Sequence, residues 1–308
     1  MFRSTALRII PANHDPSFPG ASVFSVCSMY AVFSARLLCL FGLLFTISGC
    51  GASYRSTQTI PYTDSLTSVP IPPDEPVFVS VSNFHGSIHV AADPSLSTIQ
   101  IKRSLHAREK DFEQPGRNFD LQHNLKHSLD FIDYRARLAR SADGRAMCTV
   151  IVTTSYPEPM NQWVELDIRI PNLAGVNLHT NNGEVTVANA HGPMIITNDK
   201  GDIIVSTVYP VRDRVTLITT NGHIDLRVPV SSTGSVSITA VNGRAAFSMP
   251  DNHRFAVRLP DSSHVVGILN PGANAITLQT TEGNARIIVA DDPAHISPLK
   301  KLSLPVRP

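Results

Sequence analysis

Six segments of this chain share one pattern centred on a glycine: VFVSVSNFHGSIHV at Gly86, VNLHTNNGEVTV at Gly183, MIITNDKGDIIV at Gly201, VTLITTNGHIDL at Gly222, VSITAVNGRAAF at Gly243 and ITLQTTEGNARI at Gly283. The last four intervals are 18, 21, 21 and 40 residues, and 40 is close to two periods of the others. A fixed period of this size marks a stacked repeat. Seven residues before each glycine stand Val79, Val176, Met194, Val215, Val236 and Ile276, and five before stand Val81, Leu178, Ile196, Leu217, Ile238 and Leu278. Two after come Ile88, Val185, Ile203, Ile224, Ala245 and Ala285; four after come Val90, Val187, Val205, Leu226, Phe247 and Ile287. All 24 are apolar in a chain that is 42% hydrophobic, so the register is not accidental. They alternate with mostly polar residues, the period of a strand with one buried face. Each repeat therefore reads as strand, glycine-centred bend, strand, the glycine serving a positive φ or a close backbone approach.

Two all-β architectures satisfy this pattern. In a parallel β-helix or β-solenoid with coils of about 20 residues, equivalent strands stack about 4.8 Å apart and the apolar columns fill the interior. In a stacked β-hairpin sandwich, Asn221-Gly222 and Asn242-Gly243 are type I′ turns. The residue before the glycine is His, Asn, Lys, Asn, Asn and Glu across the six, and Lys or Glu is poor hairpin chemistry at positive φ. That favours the solenoid. A charged fraction of 17%, against about 25% in an average domain, agrees with coils that bury every second residue.

The run from Val164 to Val289, with VELDIRIP at Val164 to Pro171 followed by strand-NG-strand units, resembles the bacterial "putative adhesin" domain of unknown function, related to auto-transporter adhesin heads. The resemblance covers about 210 residues. It implies a right-handed β-helical fold on a secreted or lipid-anchored protein with no assigned catalytic site. Two stretches depart from it. Between Gly243 and Gly283 only Val265, Val266, Ile268 and Leu269 mark strand material, and residues 104–147 interrupt the repeat. That insert is the most charged stretch, with a strand predicted at Ser128 to Asp133, a short helix broken at Pro115-Gly116, and the sheet pattern resuming over Met147 to Thr154.

Ahead of the repeat, ARLLCLFGLLFTISGC carries one basic residue, then an apolar run, then small residues before Cys50. It is too short for a comfortable permanent span and has the order of a secretory signal. Ile47, Ser48, Gly49 and Cys50 resemble the lipobox of bacterial lipoproteins, which implies cleavage before Cys50 and its lipidation; the alternative is an ordinary membrane anchor with a chance cysteine. Several acyl chains anchor stably where one is marginal. Pro11, Pro16, Pro19 and Asp15 do not suit a signal, which points to Met29 as the true start. The domain reading is thus an N-terminal extension plus signal over 1–49, lipidated Cys50 and a Ser/Thr/Pro-rich tether to 76, the repeat domain over 77–292, and a tail over 293–308. Cleavage discards Arg3, Arg8, Arg36 and Asp15, so a net charge of +1 becomes −1. Neither value suits neutralisation of phosphates, so no nucleic-acid partner is expected. No GxGxxG or GxxxxGK[ST] occurs, and no cofactor is expected.

Twelve histidines raise a metal question, with His123 and His127 four apart and His85 and His89 flanking the first repeat glycine, but neither pair has a Cys or carboxylate cluster at ligand spacing, so no metal is expected. Cys148 opens the apolar run CTVIV and reads as a buried small hydrophobe rather than a nucleophile. Stacking in register gathers one constellation on the outer face: Glu184, Asp202, His223 and Arg244 directly after their glycines, with Asp225 beside them. No catalytic residue is assigned. The function expected is a lipid-anchored envelope or surface protein, a non-catalytic adhesin or binding module for an extracellular polymer, glycan or protein, held at the outer membrane or cell surface. Alternatives are a carbohydrate-active β-helix enzyme, which needs carboxylates gathered on one face, and a purely structural envelope protein.

Overall fold

A computed structural model describes residues 59–72, 74–108, 126–141, 144–157, 159–250, 255–257 and 262–295. Cys50, Met29, His123 and Pro115-Gly116 lie outside these residues, as do 296–308 of the tail. Strand β1 is Thr59–Pro70, and the Gly86 unit gives β2 (Val77–Asn83) and β3 (Ile88–Ala92). Next come β4 (Thr98–Arg108), β5 (Ile132–Arg140), β6 (Ala146–Thr154) and β7 (Gln162–Ile170). Three glycine units then give β8 (Leu173–Asn182) with β9 (Val185–Ala188), β10 (Met194–Lys200) with β11 (Ile203–Ser206), and β12 (Val215–Asn221) with β13 (Ile224–Pro229). The Gly243 unit gives β14 (Gly234–Asn242) and β15 (Ala245–Ser248), followed by β16 (Phe255–Val257) and β17 (His264–Leu269). The Gly283 unit closes the series with β18 (Ala275–Glu282) and β19 (Ala285–Ala290).

Every unit sends its two strands to different sheets. Strands before the glycines belong to a ten-stranded sheet, ordered β16-β17-β14-β18-β12-β10-β8-β2-β6-β5, and strands after them to a nine-stranded sheet, ordered β1-β4-β7-β3-β9-β11-β13-β19-β15. Between units the pairing is parallel and in register, with Met194 beside Val176 and Val215, and Ile203 beside Val185 and Ile224. At three of the four sheet ends the pairings β1·β4, β4·β7, β5·β6, β14·β17 and β16·β17 are antiparallel, whereas β15 ends its sheet parallel to β19. The fold is therefore all-β, two large mixed sheets face to face, the sandwich offered as the alternative to a solenoid. Its units are not hairpins, because no unit pairs its own two strands.

Winding in chain order fails at two points. The β18/β19 unit lies between β12/β13 and β14/β15, and β2/β3 lies between β6/β7 and β8/β9. Among the described residues the 40-residue interval before Gly283 holds no extra coil. Val265, Val266, Ile268 and Leu269 do form a strand, β17, but it runs antiparallel to β14. The insert behaves similarly: a helical turn occupies 126–129 where a strand was expected, and β5 begins only at Ile132. Residues 59–70, read as tether, form an edge strand on β4. Pro61 and Pro70 are tolerated there because an edge strand needs partners on one side only.

Of the 24 repeat positions all but Phe247 are buried, and they form one core cluster between the sheets. Phe247 is half-buried because β15 is the last strand of its sheet. That end is short: β15 has 4 residues, and its Ala245 N–H donates to Ser262 O at 2.9 Å. The opposite end of the other sheet is β5, which points Asp133, Arg135 and Arg137 to solvent.

Candidate functional site

The bend between the two sheets forms a continuous rim, and its backbone is set by the glycines. In stacking order they are Gly86, Gly183, Gly201, Gly222, Gly283 and Gly243, and a Cβ placed on any after the first would overlap the backbone of the glycine before it. At Gly86 the overlap is with Val164. Gly201 combines this crowding with φ +129°, whereas Gly243 is crowded by Gly283 without a left-handed backbone. Close approach is thus the common requirement and positive φ an addition at most positions.

Three residues before five of the six glycines the sequence keeps a buried polar side chain, Ala240 standing at that position before Gly243, a pattern that apolar periodicity hides. Thr180 Oγ1 donates to Gly86 O at 3.1 Å, Asn198 Nδ2 to Gly183 O at 2.7 Å, Thr219 Oγ1 to Gly201 O at 3.2 Å and Thr280 Oγ1 to Gly222 O at 2.9 Å. Asn83 Nδ2 does the same for Val164 O at 2.8 Å. These donors give five of the six crowded carbonyls a side-chain partner.

The residues directly after the glycines make a second ladder. Asp202 Oδ1 accepts the His223 N–H at 2.7 Å, His223 Nδ1 accepts the Asn284 N–H at 2.9 Å, and Asn284 Oδ1 accepts the Arg244 N–H at 2.9 Å. Glu184, His223 and Arg244 are exposed and Asp202 is half-buried. Arg244 is therefore two units from His223, not its neighbour, because the Gly283 unit is intercalated. Asp225 is also not part of an exposed patch. Its side chain is 1% exposed and takes Arg227 Nη2 at 2.7 Å and Arg286 Nη2 at 3.0 Å. Burial arises because the chain after β19 packs a short turn, Pro293–His295, against β13, with Ser206 Oγ donating to Pro293 O at 3.2 Å.

Of the histidine pairs, His127 Nδ1 lies 3.2 Å from Asp130 Oδ2 on the surface, His89 is exposed, and His85 turns towards Trp163. Among the described residues no group of three His, Cys, Asp or Glu side chains is placed to hold a metal. Cys148 is buried, and burial pushes its thiol up to about 11.

Two concavities lie along the rim. A shallow groove of about 540 Å³ is lined by Asn182, Lys200, Asp202, Asn221, His223 and Glu282 with the glycines between them. Asn182 also lines a deeper recess of about 810 Å³, walled by Trp163, His85, Met160, Glu165, Arg108 and Pro159 among others. The two lie end to end along the rim, with Asn182 common to both. Trp163, the only tryptophan of the chain, stands on the outward phase of β7, opposite the core residues Val164 and Leu166. The His106 ring lies flat against it, with centroids 5.1 Å apart and planes 5° apart, and His106 Nε2 is 3.5 Å from Glu165 Oε2. His85 sits at 6.5 Å, tilted by 49°, and burial lowers its pKa. No sequence reading singled out Trp163. The signal was there, an aromatic at the polar phase of a strict alternation.

No protein-family model matches this chain, and no curated protein matches it. Among solved structures it is similar to a "putative cell adhesion protein" of Clostridium sporogenes, at 11% identity over 74% of this chain and 100% of that one, with a TM-score of 0.46. A "putative adhesin" of Bacteroides fragilis shares 9% identity over 74% of this chain and 98% of that one, TM-score 0.24. A "putative lipid binding protein" of Parabacteroides distasonis shares 9% over 74% and 97%, TM-score 0.19. Likenesses this remote carry no argument about the ligand of this chain.

Proposed function

We propose that this chain is a lipid-anchored cell-envelope or surface protein whose glycine-rim furrow is a non-catalytic binding site for an extended extracellular ligand. The observation that carries the reading is the adjacency of groove and recess, which share Asn182 and follow one another along the glycine rim. A track of repeated polar side chains suits a ligand that is itself extended. Absence of catalysis is supported by how the acidic groups are used. Asp225 is neutralised by two arginines, Asp202 is bound to a backbone N–H, Glu184 accepts from Thr186 Oγ1 at 3.1 Å and Glu282 from Asn221 Nδ2 at 3.0 Å, so each of these four is already engaged rather than poised as a general acid or base.

Anchoring rests on Ile47, Ser48, Gly49 and Cys50, and among the described residues no helix is long and apolar enough to cross a membrane. The stack itself is read as a β-solenoid with two intercalated units, supported by parallel in-register pairing from β6/β7 to β14/β15.

The test is a binding screen of residues 51–308 against immobilised glycans and extracellular proteins, repeated with Lys200→Ala/His223→Ala. Binding that survives this double substitution unchanged removes the furrow from the function. Release of reducing ends from a bound glycan restores the enzyme reading. Palmitate should label the protein in cells and fail to label a Cys50→Ser variant.

A further inference from the structure

The outer phase of β7 carries Trp163, Glu165, Asp167 and Arg169, three charged residues and one large aromatic. An indole there adds nothing to the core between the sheets, and Met160 beside it is 61% exposed. Large apolar side chains gathered at the mouth of a recess and rimmed by polar ones mark a ligand site. The polar rim is Glu165, Arg108, Asn161 and Asn182.

We propose that the Trp163 recess is a carbohydrate subsite that seats a pyranose ring at one end of the furrow, and to that extent it rests on the furrow reading above. A pyranose presents a sheet of C–H bonds on its face and hydroxyls around its edge. The face needs a polarisable apolar surface, which Met160 and the side of Trp163 turned away from His106 supply. The hydroxyls are both donors and acceptors, and the carboxylate, guanidinium and amide groups of the rim match them with planar, multi-point hydrogen bonding. His106, flat against the indole, holds that ring in one orientation before any ligand arrives, so little ordering remains to be done on binding. The recess volume, about 810 Å³, is that of a small-molecule site rather than of a broad protein interface. A proline-rich peptide is the competing occupant of an aromatic recess, but it needs slots between aromatic rings. Here His106 closes one side of the indole, which leaves a single aromatic surface rather than a slot between rings.

Because the chain has one tryptophan, its emission reports on this recess alone. The full chain is titrated with cello-, chito-, xylo- and malto-oligosaccharides of two to six units, with peptidoglycan fragments, and with a proline-rich peptide. Affinities of Met160→Ala, Glu165→Gln and Trp163→Phe are measured by calorimetry. The expected result is a saturable emission shift with at least one carbohydrate and, as for a truncated binding hot spot, about tenfold weaker binding in Met160→Ala and Trp163→Phe at unchanged melting temperature. The subsite is overturned if no carbohydrate moves the emission, if only the peptide does, or if oligosaccharides bind all three variants as tightly as the parent. Lys200→Ala separates the two readings. When it weakens the longer oligomers only, both stand; when it weakens none while the recess variants do, the subsite stands and the extended furrow falls.

Discussion

Gly201→Ala tests the idea that the rim is built by backbone crowding. The new Cβ would overlap the carbonyl of Gly183, and backbone, unlike a side chain, cannot rotate away. The β8/β9 and β10/β11 units must therefore separate locally. Three hydrogen bonds cross that seam at the bend itself: Gly183 N–H to Lys200 O and Val185 N–H to Asp202 O, both 2.9 Å, and Asn198 Nδ2 to Gly183 O at 2.7 Å. At about 1 kcal/mol each they contribute about 3 kcal/mol. The left-handed backbone at φ +129° adds about 1–2 kcal/mol for a residue with a Cβ. Restricting the unfolded chain returns about 0.5 kcal/mol, leaving a net loss of about 4 kcal/mol, a large share of a typical total of about 5–15. For a domain of this size that lowers the melting temperature by about 10 °C. Two controls divide the causes. Gly144 has φ +81° with nothing near its Cβ position, so Gly144→Ala carries only the conformational cost, about 1 kcal/mol. Gly243 is crowded without the left-handed backbone, and it sits where β15 can yield, so Gly243→Ala falls between the other two. The assay is thermal and urea unfolding followed by circular dichroism. If Gly201→Ala is no less stable than Gly144→Ala, crowding does not shape the rim.

Asp225→Ala leaves the buried Arg227 without its carboxylate and should cost about 3–5 kcal/mol in urea unfolding, whereas Glu184→Ala, on the exposed ladder, should change stability by less than about 1 kcal/mol. His85 is held below its ordinary pKa by burial, so the unfolded chain binds the proton more readily. Stability is then full above the unfolded value of 6.5 and is lost as pH falls from there through the lower folded value, and a His85→Asn variant should show a flatter melting temperature between pH 7.5 and 5.5. With its thiol pushed up to about 11 and buried, Cys148 should resist maleimide at pH 8 until denaturant is added, as read by peptide mapping.

The apolar columns were legible because they follow a strict alternation whose only exit from burial, Phe247, is a matter of position at a sheet end. Stacking order was not, because the columns are interchangeable. Ile276, Leu278, Ala285 and Ile287 fit beside Leu217 and Leu226 as well as Val236, Ile238, Ala245 and Phe247 would, so local pattern cannot say which unit lies next to Gly222. That ambiguity also misplaced Arg244 beside His223. Asp225 read as exposed because its strand phase points outward, and only the later packing of Pro293–His295 closes over that strand. Residues 59–70 read as tether because Ser, Thr and Pro dominate, and an edge strand with one neighbour has little need of apolar alternation.

Interchangeable units have a further consequence through the antiparallel strands at the ends. A parallel stack in register has no length of its own, since each unit presents the same ladder that it accepts. Here β16/β17, β5 and β1/β4 stop three of the four sheet ends with strands that run the wrong way to be extended in kind, and the fourth ends in the four-residue parallel strand β15. The number of rungs along the rim is thus fixed by the terminators rather than by the repeats. A further strand-Gly-strand segment inserted inside them would lengthen the furrow by one strand spacing, about 4.8 Å, without disturbing either end. Reach is a separable variable in this architecture, adjustable by gene duplication in whole steps.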